Sequence, residues 1–125
     1  MHEGKLFLIL GGVNAVLVVV LGAFGAHGLK ERLASDALAI YETAVQYHFY
    51  HALGLLVVGL VGWHLTGSGL LKWSGWLMLG GIVLFSGSLY AVSLSGQRWL
   101  GAVTPFGGVA FIAAWLAFAA ALWRT

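Results

Sequence analysis

Long apolar stretches are the feature that most constrains the fold of this 125-residue chain. Four of them occur, at about residues 6–26, 47–65, 74–94 and 104–123. A helix of about 20 residues crosses the roughly 30 Å hydrocarbon core of a bilayer. Helices satisfy their own backbone polar groups in lipid, and no alternating barrel pattern appears. The sequence therefore predicts four transmembrane helices.

Composition supports the same class of protein. The chain is 61% hydrophobic and 8% charged, which leaves too little charge to cover a soluble domain. The absence of cysteine excludes disulfides and thiolate metal sites. A net charge of +2 without a basic run gives no reason to expect nucleic acid as a partner. The first apolar run is longer than the apolar core of a signal peptide, so we interpret it as a span.

The links between the apolar stretches predict how the spans pack. The second and third links are short, so consecutive helices should be antiparallel neighbours. The predicted fold is an all-α integral membrane protein, a single domain over residues 1–125 with four antiparallel transmembrane helices and both termini on one side. The first link contains HGLKERLASD, where Leu29 and Leu33 are four residues apart among charges. This spacing predicts a short interfacial helix after the first span.

Basic residues at the two ends of the spans are evenly divided. One side has Lys5, Lys72 and Arg124, and the other has Lys30, Arg32 and Arg98. The positive-inside rule therefore predicts no orientation, and such a tie is also typical of dual-topology proteins. We expect a multi-pass membrane protein.

The segment YETAVQYHFYHALGLL (residues 41–56) has two histidines three residues apart where the second apolar stretch begins. A helical wheel at 100° per residue places five side chains of this segment on one arc of about 120°. That arc contains Tyr41, Ala44, Tyr47, His48 and His51. Glu42 and Gln46 fall on the opposite side, so we expect Glu42 to face water or to pair with a basic residue of the links.

Antiparallel order brings other polar residues to the membrane face where this segment begins. They come from the end of the first span, the end of the third and the start of the fourth. The predicted ligand or partner face consists of His27, Tyr41, Tyr47, His48, His51, Tyr90, Arg98 and Thr104. Elsewhere, Asn14 is the strongly polar side chain inside the first span, and we expect it to form a hydrogen bond to another helix.

Three interpretations of the histidine arc remain open at this point. His27, His48 and His51 are candidates for a metal site, because imidazole suits zinc, copper or iron. A histidine from each of the first two spans is the arrangement that would hold a haem. The favoured interpretation is an aromatic patch that packs helices and meets a lipid, a quinone-like molecule or a partner. No HExxH, GxSxG, P-loop or dinucleotide motif occurs, so we predict no catalytic residue, no metal site and no cofactor.

The leading functional hypothesis is a non-enzymatic membrane protein that binds a lipid, a quinone-like molecule or a partner helix at the predicted face. Its expected partners are membrane lipids, another membrane protein or a second copy of itself. One alternative is a small dual-topology transporter or channel that acts as a dimer. The other alternative is a membrane enzyme with a bound metal or haem.

Four blocks of sequence resemble a known family. They are GAFGAHGL (22–29), YETAVQYHFYHALGLL (41–56), GSLYAVSLSG (87–96) and LGAVTPFGGVAF (100–111). They are similar to the YgdD/YwdK-like family of small bacterial inner-membrane proteins, and the resemblance covers nearly the whole chain. It implies a four-helix fold and a location in the bacterial inner (plasma) membrane. It implies no reaction and no established site residues.

Overall fold

Four long helical spans make up the computed structural model, which describes residues 3–125. They are named spans one to four and comprise Glu3–Leu29, Ser35–His64, Gly69–Ser95 and Arg98–Trp123. Each is long and apolar enough to cross a membrane. No strand occurs within the described range. The prediction of an all-α chain with four candidate membrane spans is confirmed.

Span two is one unbroken α-helix, whereas each of the other spans contains a π-helical or 3₁₀ segment. Helix α1 comprises Glu3–Phe24 and continues into a π-helical turn, and α2 comprises Ser35–His64. Span three contains α3, a π-helical segment and α4, at Gly69–Gly81, Ile82–Ser86 and Gly87–Ser95. Span four starts with a 3₁₀ turn and continues as α5, at Arg98–Ala102 and Thr104–Trp123. A π-helical turn within an α-helix frequently marks a functional site.

The first link differs from the prediction of a separate interfacial helix. Residues Gly25–Leu29 continue span one as the π-helical turn. The chain then reverses in a tight turn in which the amides of Arg32 and Leu33 donate to the carbonyl of Leu29. Leu29 is buried in the bundle, so this segment is held by span packing and does not form an independent amphipathic helix on the surface.

Close backbone contact joins neighbouring spans. A Cβ placed on Gly4 would lie 2.7 Å from the carbonyl oxygen of Gly59, so spans one and two touch through their backbones. A Cβ placed on Gly107 would overlap the backbone of Phe85, so spans three and four touch in the same way. Small residues permit this approach, which is how helices associate tightly in lipid.

Both described chain ends lie at one end of the bundle. Lys72 Nζ is 3.7 Å from a carboxylate oxygen of Glu3, which brings the start of span one beside the start of span three. Arg124 shares a pocket there with the link around Gly67. The opposite end is named the Arg98 end, because Arg98 Nη2 lies 3.6 Å from Asp36 Oδ2 there.

Spans two and four run parallel, and successive turns of the two helices lie opposite each other. The rings of Tyr47 and Phe111 are stacked with centroids 6.5 Å apart, and one turn further along His51 meets Trp115. Span three contacts both of them, because Ser86 Oγ donates to the carbonyl of Ala44 in span two and Ser74 Oγ donates to that of Ala114 in span four, each at 2.8 Å. This arrangement leaves a cleft between spans two and four with span three as its floor.

Candidate functional site

The helical wheel of span two agrees with the structure. Tyr41, His48 and His51 are buried on the inner side of the helix. Glu42 and Gln46 are exposed on the outer side. Asp36 forms the ion pair with Arg98, and no ion pair of Glu42 occurs within residues 3–125. The segment therefore presents Tyr41, His48 and His51 to the other spans.

His48 forms a buried polar network with spans one and three. Its Nε2 is 2.9 Å from Asn14 Oδ1, and its Nδ1 is 2.9 Å from the Tyr90 hydroxyl. The Asn14 amide nitrogen donates to the carbonyl of Leu10, so its oxygen must accept. The proton of His48 therefore resides on Nε2, and Tyr90 O–H donates to the bare Nδ1. The expected hydrogen bond of Asn14 to another helix is present.

The depth of His48 differs from the sequence-based expectation of a membrane boundary. Its partner Asn14 lies near the middle of the apolar run from Leu6 to Ala26, about 12 Å along the helix from Leu6. The expected boundary position assumed that only the apolar part of span two, from about Tyr47, crosses the membrane. Span two as a whole comprises Ser35–His64, so His48 and His51 lie near its middle. Ionisable groups at such depth are functional candidates by default.

His51 has the opposite tautomer and faces span four. Its Nδ1 is 2.7 Å from the carbonyl oxygen of Tyr47, which can only accept, so the proton resides on Nδ1. The indole N–H of Trp115 donates to Nε2 at 3.0 Å. The imidazole also stacks on Phe111, with ring centroids 3.5 Å apart and planes 6° from parallel. Contacts on both nitrogens and on one face fix the orientation of this ring.

The three histidines considered for a metal or haem site do not converge. His27 is exposed at the end of span one. His48 and His51 face different spans, and both ring nitrogens of each have a hydrogen-bond partner. Within residues 3–125 no group of three histidine, cysteine or acidic side chains is placed to hold a metal ion.

A cleft between spans two and four is the main concave feature beside the histidines. Its inner section has a volume of about 580 Å³. The residues that line it are Tyr47, Tyr50, His51, Phe85, Gly108, Phe111, Ile112 and Trp115. The walls are therefore almost entirely aromatic and aliphatic. The section lies between the two parallel spans.

An outer section continues the cleft to the Arg98 end. It has a volume of about 820 Å³ and shares Phe85 with the inner section. The residues that line it are Asp36, Ala39, Ile40, Phe85, Leu89, Val92, Arg98, Gly101, Thr104 and Pro105. The two sections follow one face of span two and one face of span four. Together they form one cleft that is charged at the surface and aromatic at depth.

Two phenol groups provide polarity in the inner section. The Tyr50 hydroxyl accepts a hydrogen bond from Gln46 Nε2 at 2.7 Å, so its own proton is available for another acceptor. The Tyr47 hydroxyl has no hydrogen-bond partner within residues 3–125, and its side chain is partly exposed in the cleft wall. Both groups can donate to a carbonyl oxygen of a bound molecule.

The residues of the predicted face occupy three different places relative to the cleft. Tyr47, His51, Arg98 and Thr104 line the cleft. Tyr41, His48 and Tyr90 lie behind it, where the rings of Tyr41 and Tyr90 have centroids 5.4 Å apart. Tyr41 donates its hydroxyl proton to the carbonyl of Leu21 at 2.6 Å, which joins the end of span one to span two. His27 lies outside both groups.

Several cleft residues are absent from the sequence-based prediction. They are Tyr50, Phe85, Gly108, Phe111, Ile112 and Trp115. One signal was available, because Thr104, Gly108, Phe111 and Trp115 fall on one face of a helical wheel. Trp115 also lies well inside its span, away from the interfaces where tryptophan is enriched. No comparable pattern indicates Phe85, whose position depends on the packing of span three.

Comparison with known proteins places the chain among membrane proteins. The family model described as "Protein of unknown function (DUF423)" matches residues 21–108. The UPF0382 membrane protein YwdK of Bacillus subtilis (strain 168) is 55% identical over 112 residues, which cover 90% of this chain and 91% of that protein. A UPF0382 membrane protein of Staphylococcus epidermidis is 53% identical, with 90% of each chain covered.

The extent of these matches identifies the family. A third relative, the UPF0382 membrane protein SSP2132 of Staphylococcus saprophyticus, is 50% identical over 90% of this chain and 92% of its own length. No solved structure matches the chain. The expected similarity to YwdK-like proteins is confirmed, and the chain belongs to the DUF423 family of membrane proteins.

Proposed function

We propose that this protein binds a lipophilic molecule of the membrane in the cleft between spans two and four. The observation that carries the proposal is the inner section itself, an aromatic cavity of about 580 Å³ with two phenol donors in its wall. Small-molecule sites typically have volumes of about 300–1,000 Å³, with mostly apolar walls and few polar groups. The inner section has these properties.

Rigidity of the walls supports a binding role. Ser74 Oγ donates to the carbonyl of Ala114 at 2.8 Å, and Ser86 Oγ donates to that of Ala44 at the same distance. These bonds tie span three to spans four and two directly behind the cleft. Phe85 is part of the π-helical segment and projects between the two sections. A preformed cavity binds with a smaller ordering cost than one that must form on binding.

The dimensions favour a lipid chain or a flat ring over a partner helix. A helix with its side chains is about 10 Å wide, so a single turn occupies roughly 400 Å³. The inner section would therefore accommodate little more than one turn. A lipophilic tail or ring of small cross-section fits between the aromatic walls, and a carbonyl group on it can accept from Tyr47 or Tyr50.

Filling the inner section should prevent binding. Gly108 lines the cavity, and a Cβ placed there has only ordinary contacts, 3.9 Å or more from the Phe85 ring. We expect Gly108→Leu to reduce the lipid retained by purified protein at least about tenfold, because the side chain enters the cavity. Native mass spectrometry in a mild detergent measures the retained lipid directly.

Gly12→Leu is the matched control for this experiment. It makes the same change in span one, where an added Cβ has nothing within 4 Å. We expect its lipid retention to equal that of the wild type. Equal retention by the Gly108 and Gly12 variants, both folded by circular dichroism, would contradict binding in the cleft.

We further propose an inner (plasma) membrane location with both termini on the same side. Helical spans support this location, because proteins of the bacterial outer membrane are typically barrels. An even number of spans and the Glu3–Lys72 ion pair support the common side. Reporter fusions at the two termini should both report the same side of the membrane. Mixed signals from one fusion would indicate the dual-topology alternative.

A further inference from the structure

The outer mouth of the cleft contains a charge pair. Arg98 Nη2 lies 3.6 Å from Asp36 Oδ2, and both side chains line the outer section. The two side chains are 88% and 68% exposed, so each can turn towards a bound group without losing buried contacts. A guanidinium binds phosphate in a two-pronged geometry, and a carboxylate accepts from an ammonium group.

The surrounding charges at the Arg98 end balance. Lys30, Arg32 and Arg98 provide three positive charges there, and Glu31, Asp36 and Glu42 provide three negative charges. The other end carries Lys5, Lys72 and Arg124 against Glu3 alone. An anionic lipid would therefore gain no net attraction at the Arg98 end and would have to face Asp36. A headgroup with one positive and one negative group matches both members of the pair.

The length of the cleft matches one leaflet. Asp36 at the mouth and His51 at the inner end are 15 residues apart on one continuous helix. This separation corresponds to about 22 Å at 1.5 Å per residue. Half of a hydrocarbon core is about 15 Å thick, and the remaining length reaches into the headgroup region. A lipid whose headgroup lies at Asp36 and Arg98 therefore extends its chain to Trp115.

We propose that the ligand of the cleft is a zwitterionic phospholipid of the leaflet at the Arg98 end. Its phosphate binds Arg98, its ammonium group binds Asp36, and one acyl chain passes Phe85 into the inner section. The Tyr47 and Tyr50 rings then line the acyl chain in the inner section. This inference rests on the proposed function and adds the headgroup class.

The test is a competition between two lipids with the same acyl chains. Purified full-length protein is given equal amounts of phosphatidylethanolamine and phosphatidylglycerol, and the bound lipids are quantified by native mass spectrometry. We expect the wild type to prefer phosphatidylethanolamine about threefold to fivefold, the range that exposed charge pairs provide. Asp36→Asn should reverse this preference, because it leaves Arg98 without a competing carboxylate. Arg98→Gln should weaken retention of both lipids.

The controls separate failure of the headgroup assignment from failure of the proposed function. Glu31→Gln removes a negative charge of the same end outside the cleft and should leave the preference unchanged. If Gly108→Leu abolishes retention, but Asp36→Asn leaves the lipid ratio unchanged and Arg98→Gln leaves retention unchanged, the zwitterionic assignment is wrong and cleft binding stands. If Gly108→Leu also has no effect, the proposed function itself is wrong. Preferential retention of an added short-chain quinone by the wild type would likewise overturn the phospholipid assignment.

Discussion

Gly107→Ala should lower the free energy of unfolding by about 2–3 kcal/mol, the scale of overpacking in a tight interior. A Cβ at this position would overlap the backbone nitrogen and Cα of Phe85, which are held within a helix and have no rotamer to change. Spans three and four must separate to admit the methyl group. The effect is large even though alanine favours a helix by up to about 1 kcal/mol over glycine.

Gly108→Ala is the control for that substitution. It is the adjacent residue in the same helix, but its Cβ would lie 3.9 Å from the Phe85 ring, which is an ordinary contact. We expect a change between zero and a gain of about 1 kcal/mol from helix propensity. Unfolding in mixed micelles, followed by circular dichroism, measures both variants. Equal stability of the two would show that spans three and four do not pack through Gly107.

Asn14→Leu and His48→Leu should each cost about 1–3 kcal/mol of folding free energy, because each leaves a buried polar partner without its hydrogen bond. In the first variant the His48 Nε2–H loses its acceptor, and in the second the Asn14 Oδ1 loses its donor. Tyr90 loses its acceptor in the second variant as well. The double variant removes both members of the central bond.

A double-mutant cycle measures the coupling of these residues. We expect the double variant to be more stable than additivity predicts by about 0.6–1.7 kcal/mol, the range found for hydrogen bonds between membrane helices. Gln46→Leu, which removes an amide on the exposed side of span two, serves as the control and should show no coupling to His48. Strict additivity of Asn14→Leu and His48→Leu would contradict a bond between them.

These two predictions concern different contacts of the bundle. Gly107 sets the distance between spans three and four at Phe85, where span three forms the floor of the cleft. The Asn14–His48–Tyr90 network joins spans one, two and three behind that floor. Because the network does not line the cleft, we expect substitutions in it to affect stability and to leave the lipid preference unchanged.

Much of the fold follows from the sequence because the bilayer permits few structures. Four apolar runs with few charges can only be helices, and short links make neighbouring helices antiparallel. The inner arc of span two was also predictable, because a fixed angle per residue puts Tyr41, His48 and His51 on one side. Neither inference requires knowledge of the other spans.

The depth and partners of the histidines required the tertiary structure. Sequence hydropathy places the start of the apolar part of span two near Tyr47, although Ser35 and Asp36 are suitable caps for a longer helix. Only the structure shows that His48 lies near the middle of the helix Ser35–His64, where Asn14 from span one meets it. Hydropathy reports the preference of a segment for lipid and does not report its register against a neighbouring helix.

The sequence alone determined that this chain is a four-helix membrane protein with Tyr41, Tyr47, His48 and His51 on one face of its second span. Only the tertiary structure decided that His48 and His51 have different partners and that Phe85 divides a cleft between parallel spans. The physical reason is that helix formation in lipid depends on local backbone hydrogen bonds. Helix register, by contrast, depends on contacts between distant residues such as Gly4 with Gly59 and Gly107 with Phe85.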